Sequence, residues 1–386
     1  MKDKIRICII SPKYDPFFSG AAKQIQKINK ILSKKENLKI EVLTKKMSSE
    51  KYIEENINIV RLPKIGLKKL YYTKLGSFFF LISAIFHLLK NKKRYDIIHI
   101  IDCYFPAGIL AYFANLIGLP VLVKNSIARG AIKKDKWYRK IRIKFFIKSA
   151  IMIAISRETY NELLDKGFDK ERIVFIPNGV NTKRFEKPDK REKLSLKKKY
   201  GFDENSFIVL NVGLQINRKG TELIIESAKK IIKDNRNIHF LLVGPFLSKK
   251  YKLKIQKNIK DFNLKKNVML FGYRKDINDF LKIADAFLFP SNREGLPNAL
   301  MEAMANGLPV IARKIGGVED LINHKENGFL IQNDENEVNF IVNFLNQIYN
   351  KRELSKEMGE KARKTMIKNY SIEKISEEYY ELYKKL

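Results

Sequence analysis

The chain has 386 residues, 45% of them hydrophobic and 31% charged. That length exceeds one ordinary core and suits two domains of average size, and no stretch is long and polar enough to read as disordered. A formal net charge of +34 implies attraction to an anion such as nucleic acid, a phosphorylated small molecule or an anionic membrane, although lysine is high throughout the composition and accounts for part of the surplus.

The first apolar run, "IRICIIS" (5–11), is short and strand-like, unlike a signal peptide. Further strand candidates lie at 39–44, 58–63, 96–102, 120–126, 151–156 and 172–179. These Ile/Val/Leu runs are bracketed by lysine-rich helical patterns. They read as strands buried on both faces, hence a parallel sheet under helices. The two cysteines, Cys8 and Cys103, sit apart in such runs. They form neither a disulfide framework nor a CxxC metal spacing, which fits a reducing cytosol.

The longest apolar segment, 75–89, falls short of the ~20 residues of a spanning helix. It lies within 66–96, which, like "KKDKWYRKIRIKFFIKSA" (133–150), mixes cations with aromatics. Such faces can lie on an anionic bilayer, at the inner surface of the cytoplasmic membrane. The alternative is that Phe78–Phe80 and Phe145–Phe146 are core with snorkelling lysines around them.

A lysine-rich stretch without a strand pattern follows, 181–201. The alternation then restarts at 207–213, 239–244, 268–273, 286–291, 309–314 and 328–332. The fold class is therefore α/β, with two Rossmann-like doubly wound domains joined near residue 190. The expected domains are 1–187 and 188–366, with a final helix at about 367–386 packing back on the first. In open α/β sheets ligands meet the carboxyl ends of strands, so the turns after Ser11, Gly213, Gly244, Tyr273 and Ser291 are where a site belongs. Two such domains would hold it in the cleft between them.

The stretch "EGLPNALMEAMANG" (294–307) sets two carboxylates, Glu294 and Glu302, around a helix start that favours anions. Pro297 suits the first helical position. A ligand with a diphosphate in the middle and a hydroxylated ring at each end, a nucleotide sugar, fits this arrangement. Two acids complementing a helix dipole is the plainer alternative. In "VGLQINRKGTELIIESAKKI" (212–231), Arg218 and Lys219 occupy the turn between a strand and an amphipathic helix. Two cations there suit a diphosphate leaving group, and a lysine-rich surface loop is the alternative. In "SPKYDPFFSGAAKQIQKI" (11–28), Gly20 and two alanines permit close backbone approach.

The sequence resembles the retaining GT-B glycosyltransferases of glycosyltransferase family 4, over nearly its whole length. Residues 290–322 resemble that family's E-x7-E signature, with Glu294 and Glu302 as the acids, and 155–185 resembles the segment leading to its interdomain linker. The resemblance implies that Glu294, Gly295 and Leu296 contact the donor sugar. Asn298, Ala299 and Leu300 would lie beside the phosphates, and Glu302 would bind ribose hydroxyls. Lys219 and Arg218 would stabilise the departing diphosphate, with Gly213 on the donor side. Tyr273 and Arg274 would lie at the nucleobase, and Gly20 would line the acceptor-side loop. Catalysis would rest on Lys219, Arg218 and Glu294.

Two departures stand out. Leu214 occupies the family's usual arginine position, where Arg218 is expected to substitute, and Ser126 stands where many members carry histidine. His99 reads as a strand residue, and His87, His239 and His324 show no partner pattern. No D-x-D occurs. The expectation is an enzyme without metal or cofactor, acting by front-face attack with retention. Its co-substrate would be a nucleotide sugar and its acceptor a saccharide or a lipid-linked saccharide. A basic nucleic-acid-binding protein is the rival from another class, but no zinc spacing or helix-turn-helix supports one. A sugar-nucleotide epimerase or sugar phosphorylase shares the architecture, and a degenerate regulatory homologue is a third alternative.

Overall fold

The computed structural model describes residues 4–14, 20–45, 56–62, 74–101, 107–125, 144, 146–233, 235, 237–332 and 334–386. The chain divides into two compact units, Met1–Gly179 with Ile372–Leu386, and Val180–Ser371.

The first unit contains β1 (Ile5–Ile10), α1 (Gly20–Leu32), β2 (Leu38–Lys45), β3 (Ile57–Leu62), α2 (Lys74–Asn91), β4 (Ile97–Ile101), α3 (Ala107–Leu116), β5 (Val121–Asn125), β6 (Ile151–Ala154), α4 (Arg157–Leu164) and β7 (Ile173–Phe175). Its parallel sheet has the order β3-β2-β1-β4-β5-β6-β7. The second unit contains α5 (Lys190–Lys199), β8 (Phe207–Val212), α6 (Thr221–Ile231), β9 (Ile238–Val243), α7 (Lys249–Asp261), β10 (Val268–Gly272), α8 (Ile277–Ile283), β11 (Ala286–Phe289), α9 (Asn298–Ala305), β12 (Val310–Arg313), α10 (Gly316–Glu319), β13 (Phe329–Ile331), α11 (Glu337–Asn350) and α12 (Arg352–Tyr370). Its parallel sheet has the order β10-β9-β8-β11-β12-β13. The last helix, α13 (Ile372–Lys385), belongs to the first unit.

Every segment expected to be a strand is one; most are shorter than expected, β3 and β9 are shifted by one residue, and β2 extends one residue beyond each expected end. β7 is cut most: Ile176 still donates to the Ala154 carbonyl at 3.0 Å, and Pro177 has no N–H to continue the ladder. The lysine-rich stretch at 181–201 holds α5, whose start is capped by Asp189 accepting from the Glu192 amide at 2.7 Å.

The boundaries fall at 179/180 and 371/372, displaced from the expected 187/188 and 366/367. Hydrogen bonding explains the shift. The Val180 amide donates to the Tyr370 carbonyl at 2.8 Å, and Arg363 donates to the Phe185 carbonyl at 3.0 Å. Residues 180–187 are thereby tied to α12.

Two buried polar clusters fasten helices to the first sheet. On one face, α13 contributes Ile372, Ile375, Tyr379 and Tyr383 to a core that includes Ile7, Ile9, Ile25 and Ile28. There His99 Nδ1 lies 2.8 Å from the Tyr383 hydroxyl, and its ring stacks on Tyr379 at 5.6 Å. Complete burial, reinforced by Lys124, lowers the His99 pKa to about 3. His99 is thus a neutral core residue.

On the other face, His87 of α2 has a partner that its sequence context did not reveal. Its Nε2 lies 3.1 Å from Glu41 Oε1 on β2 and 2.7 Å from the Tyr95 hydroxyl. Tyr95 and Asn58 also donate to Glu41. Burial acts to raise the Glu41 pKa, but the hydrogen bonds from His87, Tyr95 and Asn58 outweigh it and hold it at about 2. Cys8 is buried in the same core, where burial raises its thiol pKa well above the ordinary value. Cys103 lies outside the described residues. Of the remaining histidines, His239 meets Phe202 edge-on at 5.5 Å and His324 Nδ1 accepts from the Leu330 amide at 2.9 Å.

Acid stability follows from His99 and Glu41. Both folded pKa values lie below the ordinary values of 6.5 and 4.5, so the unfolded chain binds the proton first. The stabilisation is complete at neutral pH and is lost as pH falls, through His99 below 6.5 and through Glu41 below 4.5. Each contributes on the order of a few kcal/mol. Urea unfolding across this range is expected to show falling stability, and His99→Gln is expected to flatten the slope between about pH 6.5 and about pH 5.

Candidate active site

The second sheet reverses strand order between β8 and β11, which pair side by side. Connections leave these two strands in opposite directions, so the loops beyond their carboxyl ends leave an opening. The loop after β8 carries Arg218 and Lys219 in a 3-10 turn, Asn217–Lys219, that leads into α6. Buried Gln215 braces it. Its Nε2 donates to the Gly213 carbonyl at 3.0 Å, and its Oε1 accepts from Thr221 Oγ1 at 3.1 Å. Gly220 has φ +73°, and a Cβ there would lie 2.3 Å from the Pro290 carbonyl oxygen. A side chain at 220 would force apart the loops that hold the site.

The loop after β11 brings Glu294 against both cations. Glu294 Oε1 lies 2.6 Å from Lys219 Nζ and accepts from Arg218 Nη1 at 3.1 Å and from Ser291 Oγ at 2.5 Å. Arg218 also donates to the Arg293 carbonyl, while its own carbonyl accepts from the Asn292 amide at 2.8 Å. Lys219 Nζ stands 5.0 Å from the Phe289 ring centroid. The Lys219 and Glu294 side chains are 16% and 14% exposed, against 38% for Arg218. The Lys219 pair is therefore the better shielded, and Arg218 faces water. Sequence reasoning gave these residues separate tasks and named Ser291 only as the end of a strand, not as a partner of the acid three positions on. Gly213 closes β8 near Lys219, whose Cε would lie 3.9 Å from a Cβ at that position.

Past Glu294 the chain passes through buried Gly295, Leu296 and Pro297 into α9. Pro297, expected at the first helical position, is instead the N-cap, in extended conformation, and the helix begins one residue later at Asn298. The first intrahelical hydrogen bond runs from Met301 N to the Pro297 carbonyl at 3.1 Å, so the amides of Ala299 and Leu300 lie ahead of the helical ladder. Asn298 and Ala299 are partly exposed. Leu300 is fully buried, which leaves its amide, not its side chain, for a ligand. Glu302 is partly exposed one turn into the helix. A third loop closes on this one, since a Cβ on Gly317 of α10 would fall 1.6 Å from the Gly295 carbonyl oxygen. The sequence reading did not single out Gly317; the Gly316-Gly317 pair just after β12 was its signal.

Tyr273 follows β10 and is half-exposed. Arg274 is engaged with Asp276 through Nε at 2.9 Å and Nη2 at 2.5 Å. These bonds hold the Asp276 pKa at about 2. Gly20 opens α1 in the other unit, and Ser126 lies outside the described residues. A cavity of about 560 Å³ lies at the opposite edge of the second sheet, against Phe207, Asp285 and Pro309 near the amino ends of three strands. Two of the lysines lining it have structural partners. Lys197 donates to the Ser206 carbonyl at 2.6 Å, and Lys193 pairs with Asp285 at 2.6 Å.

The profile for glycosyl transferases group 1 matches residues 192–365, and that for glycosyltransferase family 4 matches 19–184. The UDP-Gal:alpha-D-GlcNAc-diphosphoundecaprenol alpha-1,3-galactosyltransferase of Escherichia coli is 31% identical over 319 residues, 78% of either chain. The chain belongs to the group 1 glycosyltransferases. The N-acetyl-alpha-D-glucosaminyl L-malate synthase of Bacillus anthracis is 25% identical to this transferase over 300 residues, 76% of either chain. The crystal structure of Anabaena Alr3699/HepE in complex with UDP and glucose superimposes with a TM-score of 0.80 at 18% identity, covering 99% of this chain and 100% of that one. The transferase therefore has the GT-B fold, with two Rossmann-like domains. Membership in this family does not favour the reading of its positive charge as a nucleic-acid surface.

The Gly295–Gly317 contact generates a prediction. Gly317→Ala in the transferase is expected to cost on the order of 1–3 kcal/mol by overpacking and to displace the Glu294 loop. Urea unfolding measures the first effect. Hydrogen–deuterium exchange across residues 291–297 measures the second.

Proposed function

We propose that this enzyme is a metal-independent, retaining hexosyltransferase that carries a sugar from a UDP-sugar to a lipid-linked saccharide, in cell-surface polysaccharide or glycolipid synthesis. The observation that carries the donor assignment is the convergence of Lys219, Arg218 and Glu294 beside the start of α9. The UDP-Gal donor and the diphosphoundecaprenol-linked acceptor of the Escherichia coli relative support the choice of nucleotide and acceptor class. The acceptor would be met on the inner face of the cytoplasmic membrane.

In this reading the diphosphate lies between the two cations and the amides that open α9, a position favoured by the helix dipole. Glu294 contacts the hydroxyls of the donor sugar, and Glu302 accepts from the ribose hydroxyls. Tyr273 borders the base, with Arg274 fixed beside it by Asp276. Gly20 lines the acceptor-side loop. As the bond from the sugar's anomeric carbon to the β-phosphate oxygen breaks, its electron pair passes to that oxygen. Lys219 and Arg218 stabilise the growing charge, the role a metal ion fills elsewhere. The acceptor hydroxyl attacks the same face and forms the new carbon–oxygen bond. Its proton passes to the departing phosphate oxygen, and the anomeric configuration is retained.

A panel of nucleotide sugars screened by melting temperature, followed by transfer assays with the tightest binder, tests the assignment. Lys219→Ala and Glu302→Ala are each expected to lower kcat/KM by about 10²- to 10³-fold with unfolding midpoints unchanged. EDTA is expected to leave the rate unaltered, and NMR of the product to show the anomer of the donor. Turnover like the wild type's in both variants would exclude this mechanism.

A further inference from the structure

Helix α2 is apolar on two opposite sides. Phe80, Leu81, Ala84 and Leu88 are buried against the first sheet, and Glu41 fixes that orientation through His87. On the other side Leu75, Phe78, Phe79, Phe86 and Leu89 are between 44% and 68% exposed. At 3.6 residues per turn these five fall within an arc of roughly 100°, so they form one stripe along the helix. Exposed apolar side chains scattered singly are ordinary, but a continuous stripe with three phenylalanines marks a contact surface. Lys90 extends it, and Lys92 and Lys93 follow in a 3-10 turn, all three exposed.

We propose that this face of α2 docks the enzyme onto the surface of an anionic lipid bilayer, with the phenylalanines among the acyl chains and the lysines at the headgroups. Charge complementarity favours lipid over a second copy of the chain. The protein carries +34, so like copies repel while an anionic surface attracts. Among the described residues no helix is long and apolar enough to cross a membrane. The interaction is therefore that of a helix lying in the interface plane, driven by apolar burial and electrostatic attraction. The inference deepens the lipid-linked acceptor reading, on which it rests, by naming the surface through which the enzyme meets that acceptor.

Flotation of the intact protein with phosphatidylcholine vesicles, with and without phosphatidylglycerol, is the test. The expected result is binding to the anionic vesicles that weakens at high salt. The bound fraction is expected to fall at least about tenfold in Phe78→Ser/Phe79→Ser/Phe86→Ser and several-fold in Lys90→Glu/Lys92→Glu/Lys93→Glu. The UDP-induced rise in melting temperature is expected to persist in both variants, since neither set of residues lies in the donor-binding unit. Wild-type flotation by the phenylalanine variant, or no flotation of the wild type with either vesicle, overturns the inference. So does a wild-type dimer in sedimentation that the phenylalanine variant makes monomeric without change in lipid binding. Flotation as expected without UDP binding leaves docking in place and removes the donor assignment.

Discussion

One oxygen atom organises the candidate site. Glu294 Oε1 receives Ser291 from its own loop, and both Lys219 and Arg218 from the loop after the neighbouring strand. Lys219 and Glu294 have little access to water, so each depends on the other. A cation left alone there would lack compensation, as would the carboxylate. The loops are also fixed at the backbone, where Gly220 meets Pro290 and Gly317 meets Gly295. The cations are thus positioned in advance, as the proposed electrostatic stabilisation of a leaving group requires.

The first unit uses polar contacts differently. Its two buried clusters, His99 with Tyr383 and Glu41 with His87, Tyr95 and Asn58, orient helices. The Glu41 cluster settles which side of α2 faces the sheet. That choice could not be made from hydrophobicity, because both sides of the helix are apolar.

Much of this was legible in the sequence because the relevant signals are local. Buried parallel strands announce themselves as short aliphatic runs, and turn residues mark the carboxyl ends where loops gather. Glu294, Lys219 and Arg218 could be nominated in this way. The contact among them could not, since it joins Glu294 to Arg218, 76 positions away, and to the adjacent Lys219 through side-chain rotamers. The side-chain role of Ser291 and the part played by Gly317 were missed for a related reason: each matters through a neighbour that the sequence does not name. His87 and Glu41, 46 positions apart, are a further case. The boundary at 179/180 escaped because hydrogen bonds to Tyr370 and Arg363 assign residues 180–187 to the second unit, and composition carries no trace of them. The stripe on α2 was visible as phenylalanines, but only the structure separates Phe80, in the core, from Phe78 and Phe79, outside it.

The placement of α13 has a consequence for biosynthesis. A ribosome makes this helix after every residue of the second unit, yet Tyr379, Tyr383 and Ile375 fill the core of the first. The half that emerges earliest is therefore the half that is completed latest. Until α13 arrives, the apolar surface around Ile7 and Ile28 lacks its cover and His99 lacks its hydroxyl partner. The interval in which a nascent chain most needs protection from aggregation extends until residues 372–385 have been made, and it belongs to the first unit.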